Sequence, residues 1–127
     1  ASRIHLLGYK SGEDLQREVG NARFTVLSSE WRENMPYSGL ESLAAQTPII
    51  GARIGGIPEL VEEGKTGVTF ESGNAVDLSN SMLKCAAVSA LNYSAMQHSC
   101  REYVNARCLQ NEYALALVDL YERVIQR

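Results

Sequence analysis

Short apolar runs alternate with stretches of helical spacing through the first seventy residues, and the pattern then turns helical to the end. Residues 4–7 predict a strand that ends at Gly8. Residues 11–19 predict a helix, with Glu13 and Asp14 in its first turn and Leu15 and Val19 one turn apart on one face. A second strand is predicted over 24–27 and a helix over 37–45, whose buried stripe would be Tyr37, Leu40 and Ala44. The third strand, over 47–51, carries the uninterrupted Pro48-Ile49-Ile50, which suits a strand covered on both faces. A short helix over 58–63 and a fourth strand over 67–70 complete the alternation.

Beyond it, Asn74 predicts an N-cap, and Asp77 three residues on suggests a capping box. The helix from Ala75 carries Leu78, Met82 and Ala86 at four-residue spacing. A further helix over about 93–106 has Met96, Cys100, Tyr103 and Val104 on one side. The last, over about 111–126, has Leu117, Val118, Tyr121, Val124 and Ile125 as its stripe. Strands separated by helices are the signature of a parallel sheet with right-handed crossovers. The expectation is one α/β domain over 1–127, a Rossmann-like doubly wound parallel sheet with a helical C-terminal tail. Neither an internal repeat nor a linker interrupts it. In such sheets ligands bind beyond the carboxyl ends of the strands, here after Leu7, Leu27, Gly51 and Phe70.

Composition narrows the partners. With 127 residues, 45% of them hydrophobic and 21% charged, the chain can bury one core without disulfides or a structural metal. Twelve basic residues against 15 acidic ones give a net charge of -3, which disfavours a nucleic-acid partner. Cys85, Cys100 and Cys108 are an odd set without C-x-x-C spacing, expected as small buried hydrophobes in a reducing, cytoplasmic setting. No His/Cys/Asp cluster has metal-ligand spacing; His5, in the first predicted strand, and His98, in a tail helix, are expected to be structural or surface residues. No apolar run reaches the roughly 20 residues of a membrane helix. No signal-peptide pattern opens the chain, and its start at Ala1-Ser2-Arg3, close to the first strand, suggests a piece of something longer.

The loop after the second strand holds the densest chemistry, from Ser28 to Glu41. Pro36 suits the first helical position, where its missing N–H would be unpaired anyway. The amides of Tyr37 and Ser38 then point out of the helix N-terminus, which favours an anion such as a diphosphate. Glu33 precedes the helix and Glu41 lies more than one turn inside it. Carboxylates repel phosphates but accept paired hydrogen bonds from vicinal hydroxyls. Either glutamate alone reads first as a solvated acid, and the combination with the segments that follow is what points to a site. Gly55 and Gly56 follow the third strand, where paired glycines allow close backbone approach to a ligand or a tight turn. Gly64 and Gly67 flank a turn that is expected to be structural.

E-x7-E from Glu33 to Glu41, T-P-I-I from Thr47, G-G-I-P-E-L-V from Gly55 and G-x-T-G from Gly64 occur in that order. Together they resemble the C-terminal domain of the group 1 glycosyltransferases, a retaining family of the two-domain GT-B kind. The resemblance implies that Glu33 is the catalytic-site carboxylate, contacting hydroxyls of the donor sugar. It implies that Glu41 binds the nucleotide ribose and that the Tyr37 and Ser38 amides meet the diphosphate. The base would be held by the loop of Gly8, Tyr9 and Lys10, with Gly55 and Gly56 near the donor. The implied reaction passes a sugar from a nucleoside-diphosphate sugar to an acceptor hydroxyl with retention, without a cofactor or bound metal.

Two departures stand out. Gln46 replaces the glycine that commonly precedes T-P, at a position suited to a left-handed residue. The family's basic Arg and Lys pair lies upstream of the first strand and has no counterpart here. An acceptor-binding N-terminal domain is therefore an expected partner. The absence of a spanning segment leaves room for peripheral association of the full-length protein with the cytoplasmic face of a membrane. A different class, a non-catalytic nucleotide-binding or interaction module, is the alternative. A nucleotide-sugar epimerase of related architecture ranks below both, since E-x7-E is not expected there.

Overall fold

The computed structural model of the chain describes residues 3–108 and 110–125. Three strands form the sheet: β1 (Thr25–Leu27), β2 (Ile49–Ala52) and β3 (Gly67–Phe70). They pair in parallel in the order β1-β2-β3, with Thr25 opposite Ile49 and Ile49 opposite Gly67. Around them lie α1 (Gly12–Asn21), α2 (Tyr37–Ala44), a short 3₁₀ helix (Ile57–Leu60), α3 (Ala75–Ala86), α4 (Ala90–Arg107) and α5 (Gln110–Ile125).

Alternation along β2 divides the core. Ile49 points to one face, where it packs with Leu43, Leu60, Cys100 and Tyr103 from α2, the 3₁₀ helix and α4. Ile50 and Ala52 point to the other, with Phe70 and Cys85, under α3. Every residue of β2 is buried, as its unbroken apolar run requires of a strand covered on both sides. Gly67 is where the sheet is tightest: a Cβ there would lie 1.9 Å from the Ile49 carbonyl oxygen. Thr66, beside it, is buried and holds the turn by accepting from the Glu62 amide and donating to the Leu60 carbonyl. The G-x-T-G segment is thus structural. Doubly wound packing is realised on three strands.

The first expected strand, over 4–7, is absent. Residues 4–7 lie outside the sheet and expose Ile4, Leu6 and Leu7, so His5 is not in a strand. A strand is a property of a paired edge, and apolar content alone does not supply one. The 3₁₀ helix covers 57–60 in place of the longer helix expected over 58–63.

The stripe of α2 differs too. Tyr37 and Ala44 are exposed, Leu40 is half-buried, and Gly39, Ser42 and Leu43 face the core. Gly39 lets the helix approach closely, since a Cβ there would meet the Leu60 side chain at 2.5 Å. Ser42 is fully buried and satisfied: its hydroxyl pairs with Thr25 Oγ1 at 2.6 Å and donates to the Thr47 carbonyl at 2.7 Å. A buried serine is invisible to an apolar stripe.

On α3 the buried residues are Ser81 and Cys85, with Leu78 half-buried; Met82 and Ala86 are exposed. Asn74 caps this helix by accepting from the Val76 and Asp77 amides. Asp77 accepts from the Glu71 amide instead of returning to Asn74, so the box is not closed. The α4 stripe appears as expected, with Met96, Cys100 and Tyr103 buried and Val104 packed against them. Burial pushes the Cys100 thiol up to about 12 and raises Cys85 as well. Cys108 is exposed, against the expectation that all three thiols are buried, because it lies just past the end of α4. His98 is an exposed residue of α4, 3.3 Å from Glu102. The stripe of α5 is mostly exposed in this chain, Leu117 being half-buried; its expected end at Gln126, like the chain ends 1–2 and 126–127, lies outside the described residues. Among the described residues no helix is long and apolar enough to cross a membrane.

Candidate functional site

Because the strands are parallel, the loops 28–36, 53–56 and 71–74 all leave the same edge of the sheet. They are tied to one another there. The Gly56 amide donates to the Glu33 carbonyl at 2.8 Å. The Ser72 hydroxyl donates to the Ser29 carbonyl at 3.0 Å. Arg53 donates from its amide to the Phe70 carbonyl and from its guanidinium to Asp77.

The double glycine has a definite reason. Gly55 has a φ of +56°, and a Cβ on it would lie 2.3 Å from the Glu33 carbonyl oxygen. A Cβ on Gly56 would lie 1.5 Å from the Asn34 carbonyl oxygen. The close approach that the glycines permit is to the backbone of the Glu33 loop. Glu33 itself is half-buried, and its Oε1 accepts from the Ser29 hydroxyl at 2.7 Å. Sequence reasoning named Glu33, Gly55 and Gly56, and the structure brings these three together. It missed Ser29 and Ser72. A hydroxyl four residues before Glu33 in the same loop was the available signal for Ser29; Ser72 offered none.

Pro36 stands one position earlier than expected, as the N-cap of α2 with φ -67° and ψ 125°. Its ring fixes φ for the turn, and its carbonyl accepts from the Gly39 and Leu40 amides. Tyr37 and Ser38 are the first two helical residues. Among the described residues neither of their amides donates to a protein acceptor, the usual state of a helix start without a capping side chain. Their side chains are exposed.

Glu41 is one turn beyond Tyr37 on the same side of α2. It lines a cavity of ≈ 560 Å³ between α1 and α2, whose walls include Leu15, Val19, Ala44 and Ala45. Gly8, Tyr9 and Lys10 lead into α1. Gly8 takes a φ of +68°, Tyr9 is exposed and Lys10 is half-buried. Among the described residues no hydrogen bond joins this loop to either glutamate. Nor do three or more His, Cys, Asp or Glu side chains converge there as a metal-holding group. The arrangement offers two free amides between two carboxylates, one fastened and one open.

Comparison with known proteins agrees with this architecture. The sequence profile described as "Glycosyl transferases group 1" matches residues 1–107. An uncharacterised glycosyltransferase of Methanocaldococcus jannaschii is 32% identical over 83 residues, 65% of this chain and 23% of that protein. The sulfoquinovosyl transferase SQD2 of Arabidopsis thaliana is 33% identical over 73 residues, 55% of this chain and 14% of that protein. In three dimensions a glycosyltransferase from Rickettsia africae matches with a TM-score of 0.81 at 19% identity, covering 94% of this chain and 32% of that one. HepE of Anabaena, solved with UDP and glucose, matches with a TM-score of 0.78 at 20% identity, covering 92% and 32%. The chain therefore spans under a quarter of these curated relatives and about a third of these solved structures.

Proposed function

The chain belongs to the group 1 glycosyl transferases, and on that premise we propose that it holds the nucleoside-diphosphate sugar for a retaining sugar transfer. The observation that carries the proposal is the start of α2: unpartnered Tyr37 and Ser38 amides between the fastened Glu33 and the open Glu41. The diphosphate sits on the two amides, where the helix dipole favours negative charge. Glu33 meets the donor sugar hydroxyls and Glu41 the ribose diol, each as a pair of acceptor oxygens. The base lies toward Gly8, Tyr9 and Lys10, beyond the cavity that Glu41 lines. HepE of Anabaena is described in complex with UDP and with UDP-glucose, which makes these the first ligands to try.

The chemistry follows from charge. As the sugar leaves, negative charge grows on the diphosphate, and donors already aimed at it stabilise that charge without reorganising. Two amides supply part of this. A basic pair, and an acceptor site in a second domain, belong to the longer protein in which transfer is proposed to occur. No cofactor or bound metal is invoked, and the full-length protein is proposed to work in the cytoplasm, in solution or at the inner face of a membrane.

Titration of the ¹⁵N-labelled chain with UDP tests the proposal. The Tyr37 and Ser38 amides should shift most, together with residues beside Glu41. No response of these amides at millimolar UDP or UDP-glucose would remove its main support.

A further inference from the structure

Glu33 is held twice, through its main chain and through its carboxylate. Its carbonyl oxygen is fixed by the Gly56 amide, within a loop so close that neither glycine leaves room for a Cβ. Its carboxylate is fixed separately by Ser29, whose hydroxyl donates to Oε1 at 2.7 Å. Ser29 is in turn fixed through its own carbonyl by the Ser72 hydroxyl, from the loop after β3. Two hydrogen bonds, joined through the residue Ser29, thus link the loop after β3 to one oxygen of the Glu33 carboxylate.

We propose that Ser29 is a positioning residue for the donor sugar, with Ser72 as its support, and this rests on the donor-binding role given above to Glu33. A carboxylate has about four lone-pair sites on two oxygens. With Oε1 engaged by Ser29, the rotation of the group is set and Oε2 is the oxygen most open to an incoming hydroxyl. A carboxylate left to rotate would lose entropy each time a sugar bound, and the Ser29 bond removes that loss in advance. The effect is confined to the sugar. Among the described residues Ser29 bonds to neither the Tyr37 nor the Ser38 amide and does not line the Glu41 cavity, so contacts to the nucleotide should not sense it.

Isothermal titration of the full chain with UDP and with UDP-glucose tests this. Ser29→Ala should weaken UDP-glucose roughly tenfold, the scale of one hydrogen bond to a charged group, and change UDP by less than about twofold on the same scale. Ser29→Thr, which keeps the hydroxyl, should restore most of the UDP-glucose affinity, and Ser72→Ala should give a smaller loss with the same selectivity. A purely structural role would lower both affinities together and would show as a lowered melting temperature. Equal losses for UDP and UDP-glucose in Ser29→Ala, or no loss for either, overturn the inference while leaving the donor proposal intact. Failure of the unaltered chain to bind either ligand overturns both.

Discussion

Glu33 and Glu41 lie on either side of one helix start, yet the fold treats them in opposite ways. Glu33 is half-buried, bonded through its side chain to Ser29 and through its main chain to Gly56. Glu41 is exposed on α2 and faces a cavity with mostly apolar walls. The difference teaches that a motif of two identical residues need not be two identical sites. One carboxylate is pre-set by Ser29, as suits the contact with donor-sugar hydroxyls proposed for it. The other is open, as its proposed contact with the diol of a ribonucleotide allows.

The hardest way to break the comparison is to disturb the backbone that fastens Glu33. Gly56→Ala places a Cβ where the Asn34 carbonyl oxygen already is. The cost should exceed the roughly 3 kcal/mol typical of overpacking, because the obstacle is backbone. Gly64→Ala is the control: its φ of +76° is strained for alanine but the space around it is open. It should cost only about 1 kcal/mol. Urea denaturation of the two variants measures the gap, and comparable losses would show that the Gly56 contact is not what orders the loop.

A milder change sharpens the contrast from the other end of α2. Gln46 has a φ of +59° and is the sole non-glycine residue with positive φ among those described. Gln46→Gly should stabilise the chain by about 1 kcal/mol, seen as a raised urea midpoint. Because Glu41 is open, UDP affinity should stay the same. A changed UDP affinity would mean that the end of α2 governs the Glu41 side after all.

A last test concerns the buried core rather than the loops. Cys100 and Cys85 are buried and Cys108 is exposed, so a thiol reagent should label one cysteine quickly and two only on unfolding. The Cys100 thiol is raised from 9.0 to about 12 by burial. Its contribution is fully present below pH 9 and is lost as pH rises through 12, because the unfolded chain releases the proton first. Stability should therefore fall over that window, and fall less steeply in Cys100→Ala. A slope unaffected by that change would show that Cys100 is not the group responsible.

Much of this was legible in the sequence, for identifiable reasons. The buried strand β2 announced itself through Ile49 and Ile50, and α4 through Met96, Cys100 and Tyr103 at helical spacing. The parallel sheet and the Glu33 loop followed from the order of these elements. What stayed hidden depended on contacts between distant segments. Ser42 is buried because Thr25 and Thr47 satisfy it, and so the stripe of α2 was placed out of phase. Residues 4–7 have strand-like composition, but pairing decides strands. Ser72 reaches Ser29 across 43 positions, a relation no local pattern encodes.

The division of labour between the carboxylates is tested most directly by measuring UDP and UDP-glucose affinities in Glu33→Ala and Glu41→Ala. Glu41→Ala should weaken both ligands alike, while Glu33→Ala should weaken UDP-glucose at least tenfold more than UDP, on the order of one charged hydrogen bond. Equal losses for both ligands in Glu33→Ala would contradict the account.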